Sequence, residues 1–199
     1  MLRRFLLLSS FVMLLSACVP ALIAGGVGAT AVGVNDRRTA GQIVEDNAIT
    51  VKVQNMISEL PDRMHAHISI LSYNGKVLIL GEVPNHKLGL EVEEAVRKTE
   101  HVKSVYNELI VAPEASLASI AADSMITAKV KTALTTDIKL KGFNAGNVKV
   151  MTSRRKVYLM GIVNEAEARE AIEIARHVAG VEEVVPFFDI VNRQFYNIN

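Results

Sequence analysis

The sequence predicts an α+β protein of two tandem domains, each running helix, strand, strand, helix, strand (αββαβ), with both helices packed on a three-stranded sheet. Three observations carry this expectation. Asp46 to Val111 and Asp123 to Val191 hold the same order of apolar positions, and such self-similarity marks a duplicated structural unit. Each copy opens with apolar residues at helical spacing and continues with apolar residues at strand spacing. Asn74-Gly75 lies between two alternating stretches, where a tight hairpin needs the positive φ angles that Asn and Gly tolerate.

The elements follow in order. Ile49, Val53 and Ile57 make the first helical stripe, and Ile126, Val130 and Leu134 repeat it. Asp46 and Asp123 precede these stripes and are expected as N-caps, because a short carboxylate accepts from the free amides of a first helical turn. Strand pairs are expected at Ile68 to Tyr73 with Lys76 to Val83, and at Asn147 to Thr152 with Lys156 to Val163. Ser153-Arg154-Arg155 is a weaker form of the hairpin turn. Gly81 and Gly161 fall at the same point of the second strand in each copy, which a bulge or a close backbone approach explains. Second helices are expected near 85–99 and 165–179, with Leu88, Val92 and Ala95 answering Ala168, Ile172 and Ala175. Glu165, Glu167, Arg169, Glu170 and Glu173 read as the solvated side of the latter, supported by opposite charges three or four apart. Closing strands are expected at 102–111 and 181–191.

Ahead of the repeats, Arg3 and Arg4 precede an apolar run from Phe5 to Leu15 and then Ser16-Ala17-Cys18, the order of a secretory signal. Leu15-Ser16-Ala17-Cys18 resembles the bacterial lipobox, which implies cleavage before Cys18 and lipid on its thiol. An uncleaved transmembrane helix is the alternative, since apolar residues continue to Val34 and about 18 of them can span a bilayer. Pro20 and the glycines from Gly25 to Gly33 weaken helix interiors and favour a tether. Cys18 is the only cysteine, so no intramolecular disulfide forms despite export. Two or more acyl chains, at about 0.8 kcal/mol per buried methylene, make an anchor stable. In enterobacterial lipoproteins an aspartate after the cysteine favours the inner membrane; Val19 stands there, which favours the periplasmic face of the outer membrane. The resulting division is a signal peptide over 1–17, a lipidated Gly/Ala-rich tether over 18–44, domains over 45–112 and 123–191, a linker over 113–122 and a tail over 192–199.

Loss of Arg3 and Arg4 takes the 22 basic side chains just below the 21 acidic ones. A near-neutral exported chain is not expected to bind nucleic acid, which requires clustered cations against many phosphates. No cofactor and no metal are expected: His65 and His67 occur in one copy only, and His86, His101 and His177 lack ligand spacing with nearby acids. No serine stands in a nucleophile motif and Gly25 to Gly33 do not follow a strand, so no enzymatic activity is expected.

The Val157-x-Leu159-x-Gly161-x-Val163 strand, its looser partner Val77 to Val83, and the pairs His101-Val102 and Gly180-Val181 resemble the BON domain. Two of these behind a lipobox resemble the dual-BON-domain lipoproteins of the Gram-negative outer membrane, over essentially the whole mature chain. Tyr106-Asn107-Glu108-Leu109 and Ile126-Thr127-Ala128-Lys129-Val130 are similar to the division-associated lipid-binding member. That resemblance implies a non-enzymatic protein whose second domain binds anionic phospholipid through its first helix and supports envelope integrity.

Carried over by position, the helix is Ser124 to Thr136. Ile126, Val130, Ala133 and Leu134 form its core stripe, and Met125, Ala128, Lys129 and Thr132 the neighbouring phospholipid-binding face. A lysine beside an apolar residue suits a headgroup interface, with the ammonium at phosphate and the apolar group at the acyl boundary. Ala48 stands at the place of Met125 in the first copy, so the shared core does not demand the larger group. The lipid-binding relatives tend to carry an aromatic where this chain has Met125, which implies weaker interfacial affinity. An envelope protein is the expected partner of the first domain. The competing reading is an adaptor that binds an envelope protein or peptidoglycan and touches the membrane only through its anchor.

Overall fold

A computed structural model of the chain describes residues 36–192. The expected signal peptide, Cys18, residues 18–35 of the tether and residues 193–199 of the tail lie outside the described residues. The first domain runs α1 (Ala40–Ser58), β1 (His67–Tyr73), β2 (Lys76–Val83), α2 (His86–Arg97) and β3 (Ser104–Val111). The second runs α3 (Leu117–Thr136), β4 (Val148–Ser153), β5 (Lys156–Val163), α4 (Glu165–His177) and β6 (Glu183–Ile190). In each sheet the hairpin's second strand is central, antiparallel to the first strand and parallel to the third. A helix connects the two parallel strands, as such a pairing requires.

Both first helices start earlier than the apolar stripes suggest. Thr39 caps α1 in a reciprocal capping box with Gln42, and Ser116 caps α3 by accepting from the Ser119 amide. Thus α1 begins inside the stretch read as tether and α3 inside the stretch read as linker. Asp46 and Asp123 are therefore not N-caps but lie inside helices, where each holds a hairpin turn. Asp46 accepts from the Asn74 and Gly75 amides at 2.7 and 2.9 Å. Asp123 accepts from the Arg154 and Arg155 amides at 2.8 and 2.9 Å. The Asn74-Gly75 turn has φ of 54° and 77°, and Arg154-Arg155 adopts the same left-handed pair at 51° and 62°. For arginine that conformation costs about 1 kcal/mol per residue; the two Asp123 hydrogen bonds offset it.

Gly81 and Gly161 mark close backbone approach. A Cβ on Gly81 would lie 1.8 Å from the His67 carbonyl oxygen, and one on Gly161 would lie 2.2 Å from that of Asn147. No side chain fits either place.

Each domain has its own core between helices and sheet, with Ile49, Val53, Val77, Ile79, Leu88 and Val92 central in the first. Ile126, Val130, Leu134, Val157, Leu159 and Ala171 serve the second. A third apolar layer joins the two sheets by their other faces: Tyr73, Leu78 and Leu80 meet Tyr158, Met160 and Ile162. Tyr106 and Phe187 close that layer with ring centroids 4.3 Å apart. The order of layers is therefore helices, sheet, sheet, helices. Lys76 at the start of β2 pairs with Asp189 near the end of β6, while Glu82 at the end of β2 faces Arg154 just before β5. The central strands thus run in opposite senses across the interface.

Residues 36–38 strap this interface. Arg37 donates through both guanidinium nitrogens to Glu167 on α4, and to the Ile162 carbonyl at 2.9 Å. Glu167, expected on a solvated helix face, is in fact buried, because Arg37 neutralises it and it caps the Asn164 amide. Arg38 pairs with Asp36 and with buried Asp46, and its guanidinium lies 4.0 Å from the centre of the Tyr73 ring. Burial alone would raise the Asp36 carboxyl pKa, but the Arg38 side chain and amide hold it below the usual carboxylate value.

Candidate functional site

The candidate site is the outward face of α3. Ile126, Val130 and Leu134 point into the second core, while Ala133 is partly exposed at its margin. That orientation turns Met125, Ala128, Lys129 and Thr132 together to the exterior, where all four are exposed. Met125 is 61% exposed, so its thioether chain does not fold back onto its own domain. The Thr132 hydroxyl donates to the Ala128 carbonyl at 3.0 Å.

The same face continues through the first turns of the helix, in residues expected as linker. Leu117 is 85% exposed, and Ala118, Ala121 and Ala122 are exposed as well. From Leu117 to Ala128 the one charged residue is Asp123, whose carboxylate is engaged by the hairpin amides. Ser116 followed by an alanine-rich stretch was the signal for this extension: a capping serine and the best helix-forming residue. Among the described residues, Lys129 makes no ion pair or hydrogen bond. The result is a long apolar stripe ending in a solvated cation.

The first domain offers an internal comparison. On α1, Val44, Ala48 and Val51 are exposed at the places of Ala121, Met125 and Ala128, and Lys52 stands for Lys129. Lys52 is paired with Glu100 at 3.2 Å, and Glu45 lies exposed beside Val44. The two helices share a position in the fold but differ in electrostatics: α3 presents an uncompensated cation and α1 a neutralised one.

Among the described residues no helix is long and apolar enough to cross a membrane, and no group of three His, Cys, Asp or Glu side chains could hold a metal ion. His65 sits in a turn of 3₁₀ helix and His67 opens β1, with its Nδ1 3.4 Å from Glu82.

The family profile described as "BON domain" matches residues 45–113 and again 122–192. The chain belongs to the BON-domain family. Its two BON domains are those built around α1 and α3. Over nearly its whole length the chain is similar to outer membrane lipoprotein DolP of Haemophilus influenzae, at 34% identity across 94% of this chain and 95% of that protein. It is also similar to a 21 kDa hemolysin of Actinobacillus pleuropneumoniae, at 32% identity across 78% of this chain and 79% of that protein. Osmotically-inducible protein Y of Escherichia coli matches at 30% identity, covering 72% of each chain. The likeness to DolP, together with the lipobox, supports a lipid-anchored protein of the outer membrane. Among solved structures, the C-terminal domain of CdsD, a structural protein of the type III secretion system of Chlamydia trachomatis, matches at 15% identity. It covers 71% of this chain and 96% of that chain with a TM-score of 0.30, too low to add to the argument.

Proposed function

We propose that this chain is an outer-membrane lipoprotein, anchored through Cys18 at the periplasmic face, whose second BON domain lays α3 on anionic phospholipid and so helps maintain the cell envelope. The observation that carries the reading is the exterior stripe of α3, apolar from Leu117 to Ala128 and ending at Lys129. Exposed apolar area gains by entering the acyl boundary, and a free ammonium gains by meeting lipid phosphate. The anchor supplies membrane residence, so α3 sets orientation and lipid preference. No step of this function requires catalysis.

Vesicle sedimentation of an unlipidated chain beginning at residue 35 tests the helix. Met125→Glu is expected to reduce sedimentation with anionic vesicles, because it places a second anion at the headgroup layer. Unchanged sedimentation would remove the assignment of α3. Cys18→Ala tests the anchor and should release the protein to the periplasm or leave it unprocessed.

Exposed Val44 and Val51 on α1 favour a second role for the first domain, contact with an envelope protein. If the soluble chain fails to bind vesicles of any composition, that adaptor role stands as the function and the lipid anchor is the whole membrane contact.

A further inference from the structure

The turn Arg154-Arg155 is not what the fold asks for. Its counterpart Asn74-Gly75 occupies the same left-handed pair of positions with residues that adopt them readily. Backbone strain retained in one repeat and absent from the other points to a use for the side chains. The Asp123 carboxylate holds both amides, and the guanidinium groups stay 55% and 58% exposed.

Both arginines border a cleft of 490 Å³ between the two sheets, together with Glu108, Ser119, Tyr158 and Glu182. Its charges are divided by domain. The second domain supplies all three cations, Arg154, Arg155 and Lys156, with Glu182 beside them, while the first supplies Glu108 from β3. Arg154 is oriented by buried Glu82, 3.7 Å from its Nη1. Arg155 and Lys156 pair with Glu182 and Glu183, but these pairs are exposed and exchange readily for a better anion. Among the described residues Glu108 makes no ion pair or hydrogen bond. Burial, with the charges of Glu108 and Glu183, pushes the Tyr158 phenol up to about 12, so it stays protonated and able to donate. A cationic corner and a phenol donor thus face Glu108, a carboxylate that accepts no hydrogen bond among the described residues and feels Lys156 only through space.

We propose that this cleft binds a phosphoethanolamine group, its phosphate on the Arg154-Arg155 turn and the Tyr158 phenol and its ammonium on Glu108. Lys156 lies within electrostatic reach of Glu108 but gives its hydrogen bond to Glu183, so a plain anion would satisfy the turn and leave Glu108 without a hydrogen-bonded cation, whereas a zwitterion answers both walls. The site is separate from the α3 stripe and stands without it. Ser119 on α3 lines the cleft, so it opens beside the helix that the membrane reading uses.

The test uses the full lipidated protein purified in a nonionic detergent and titrated calorimetrically with glycerophosphoethanolamine, glycerophosphoglycerol and inorganic phosphate. Saturable binding of the first, at least tenfold tighter than the other two, is the expected result. The change Arg155→Gly relieves one left-handed position and breaks only the exposed pair with Glu182, leaving Arg154 on buried Glu82, so it should leave the melting temperature unchanged or higher and still weaken binding at least tenfold. Glu108→Gln should weaken glycerophosphoethanolamine at least tenfold and leave phosphate unaffected. A second arm follows the Arg154 and Arg155 amide signals in nanodiscs with and without phosphatidylethanolamine. Shifts there identify the membrane lipid as the source, and binding confined to the soluble compound identifies a free ligand. No saturable binding in either arm, equal affinity for the glycerol compound, or binding indifferent to Arg155→Gly would overturn the proposal. Met125→Glu should leave the calorimetric titration unchanged, which separates this site from the α3 contact.

Discussion

Asp46 and Asp123 occupy the same place in the two repeats, and each carboxylate accepts from two consecutive amides of the hairpin turn beneath its helix. Their surroundings differ. Asp46 is buried and also accepts from Arg38 and the Ser72 hydroxyl, whereas the contacts of Asp123 are solvent-exposed. Asp46→Ala takes one of two carboxylates from buried Arg38 and leaves the Ser72 hydroxyl and a buried turn amide without their acceptor, and is expected to cost about 3 kcal/mol. Asp123→Ala exposes turn amides to water and should cost about 1 kcal/mol. Denaturant unfolding measures both; equal losses would contradict the difference in burial.

The strap at residues 36–38 makes a testable link between the two domains. Arg37→Met leaves Glu167 buried without its fork of hydrogen bonds, and a loss of about 2–3 kcal/mol is expected. The native strap also has an acid limit. Asp36 has a folded pKa below its ordinary value, so its contribution is complete above the unfolded value of about 3.9 and declines as pH falls through the folded one. Thermal melts across acid pH should show this decline in the native chain and a shallower one in Asp36→Asn, where Glu93, Glu94 and Glu100 still contribute.

At the alkaline end the interface tyrosines dominate. Burial, with Asp36 adding to it against Arg38, pushes the Tyr73 phenol up to about 12, and Tyr158 also reaches about 12. Both folded values exceed the unfolded one of about 10. The stability they supply is therefore complete below pH of about 10 and is lost as pH rises through the folded value. Ultraviolet absorbance should resolve two late-ionising phenols, one of them removed by Tyr73→Phe. Ionisation of every tyrosine near 10 would mean that the sheets do not stay packed in solution.

Salt separates the two parts of the α3 contact. A lysine meeting phosphate is screened over about 10 Å at 0.1 M ionic strength, while apolar insertion is not screened. Raising salt should therefore weaken sedimentation of the soluble chain with anionic vesicles by several-fold without abolishing it. Lys129→Gln should flatten that salt dependence. A slope unchanged by the substitution would place the headgroup contact elsewhere.

Much of the fold was legible because the repeat shows it twice. Asn74-Gly75 marked its hairpin, and the apolar spacing at Ile49 and Ile126 identified the two core-facing helix stripes. Helix starts were harder to read: Thr39 and Ser116 lie seven residues ahead of Asp46 and Asp123, in stretches with little helical apolar spacing, and the aspartates inside the helices have the chemistry of caps. Glu167 looked solvated because nothing in its own helix announces Arg37, which lies far away in sequence and reaches it only through the fold. The joining of the sheets had a signal in Val77-Leu78-Ile79-Leu80 and Val157-Tyr158-Leu159-Met160. Runs apolar on both faces belong to strands covered on both sides, and the helices account for one side only. For the candidate site, Met125 and Lys129 were legible by position, whereas the extension to Leu117 depended on finding the true cap.

Back-to-back sheets give the molecule two opposed working sides. With α3 against a bilayer, α1 and α2 are held away from it by the intervening layers, on the order of 30 Å at about 10 Å per layer. The first domain then acts as a fixed-height platform: whatever it meets is met at one set distance above the lipid, and shortening the tether would not bring it closer.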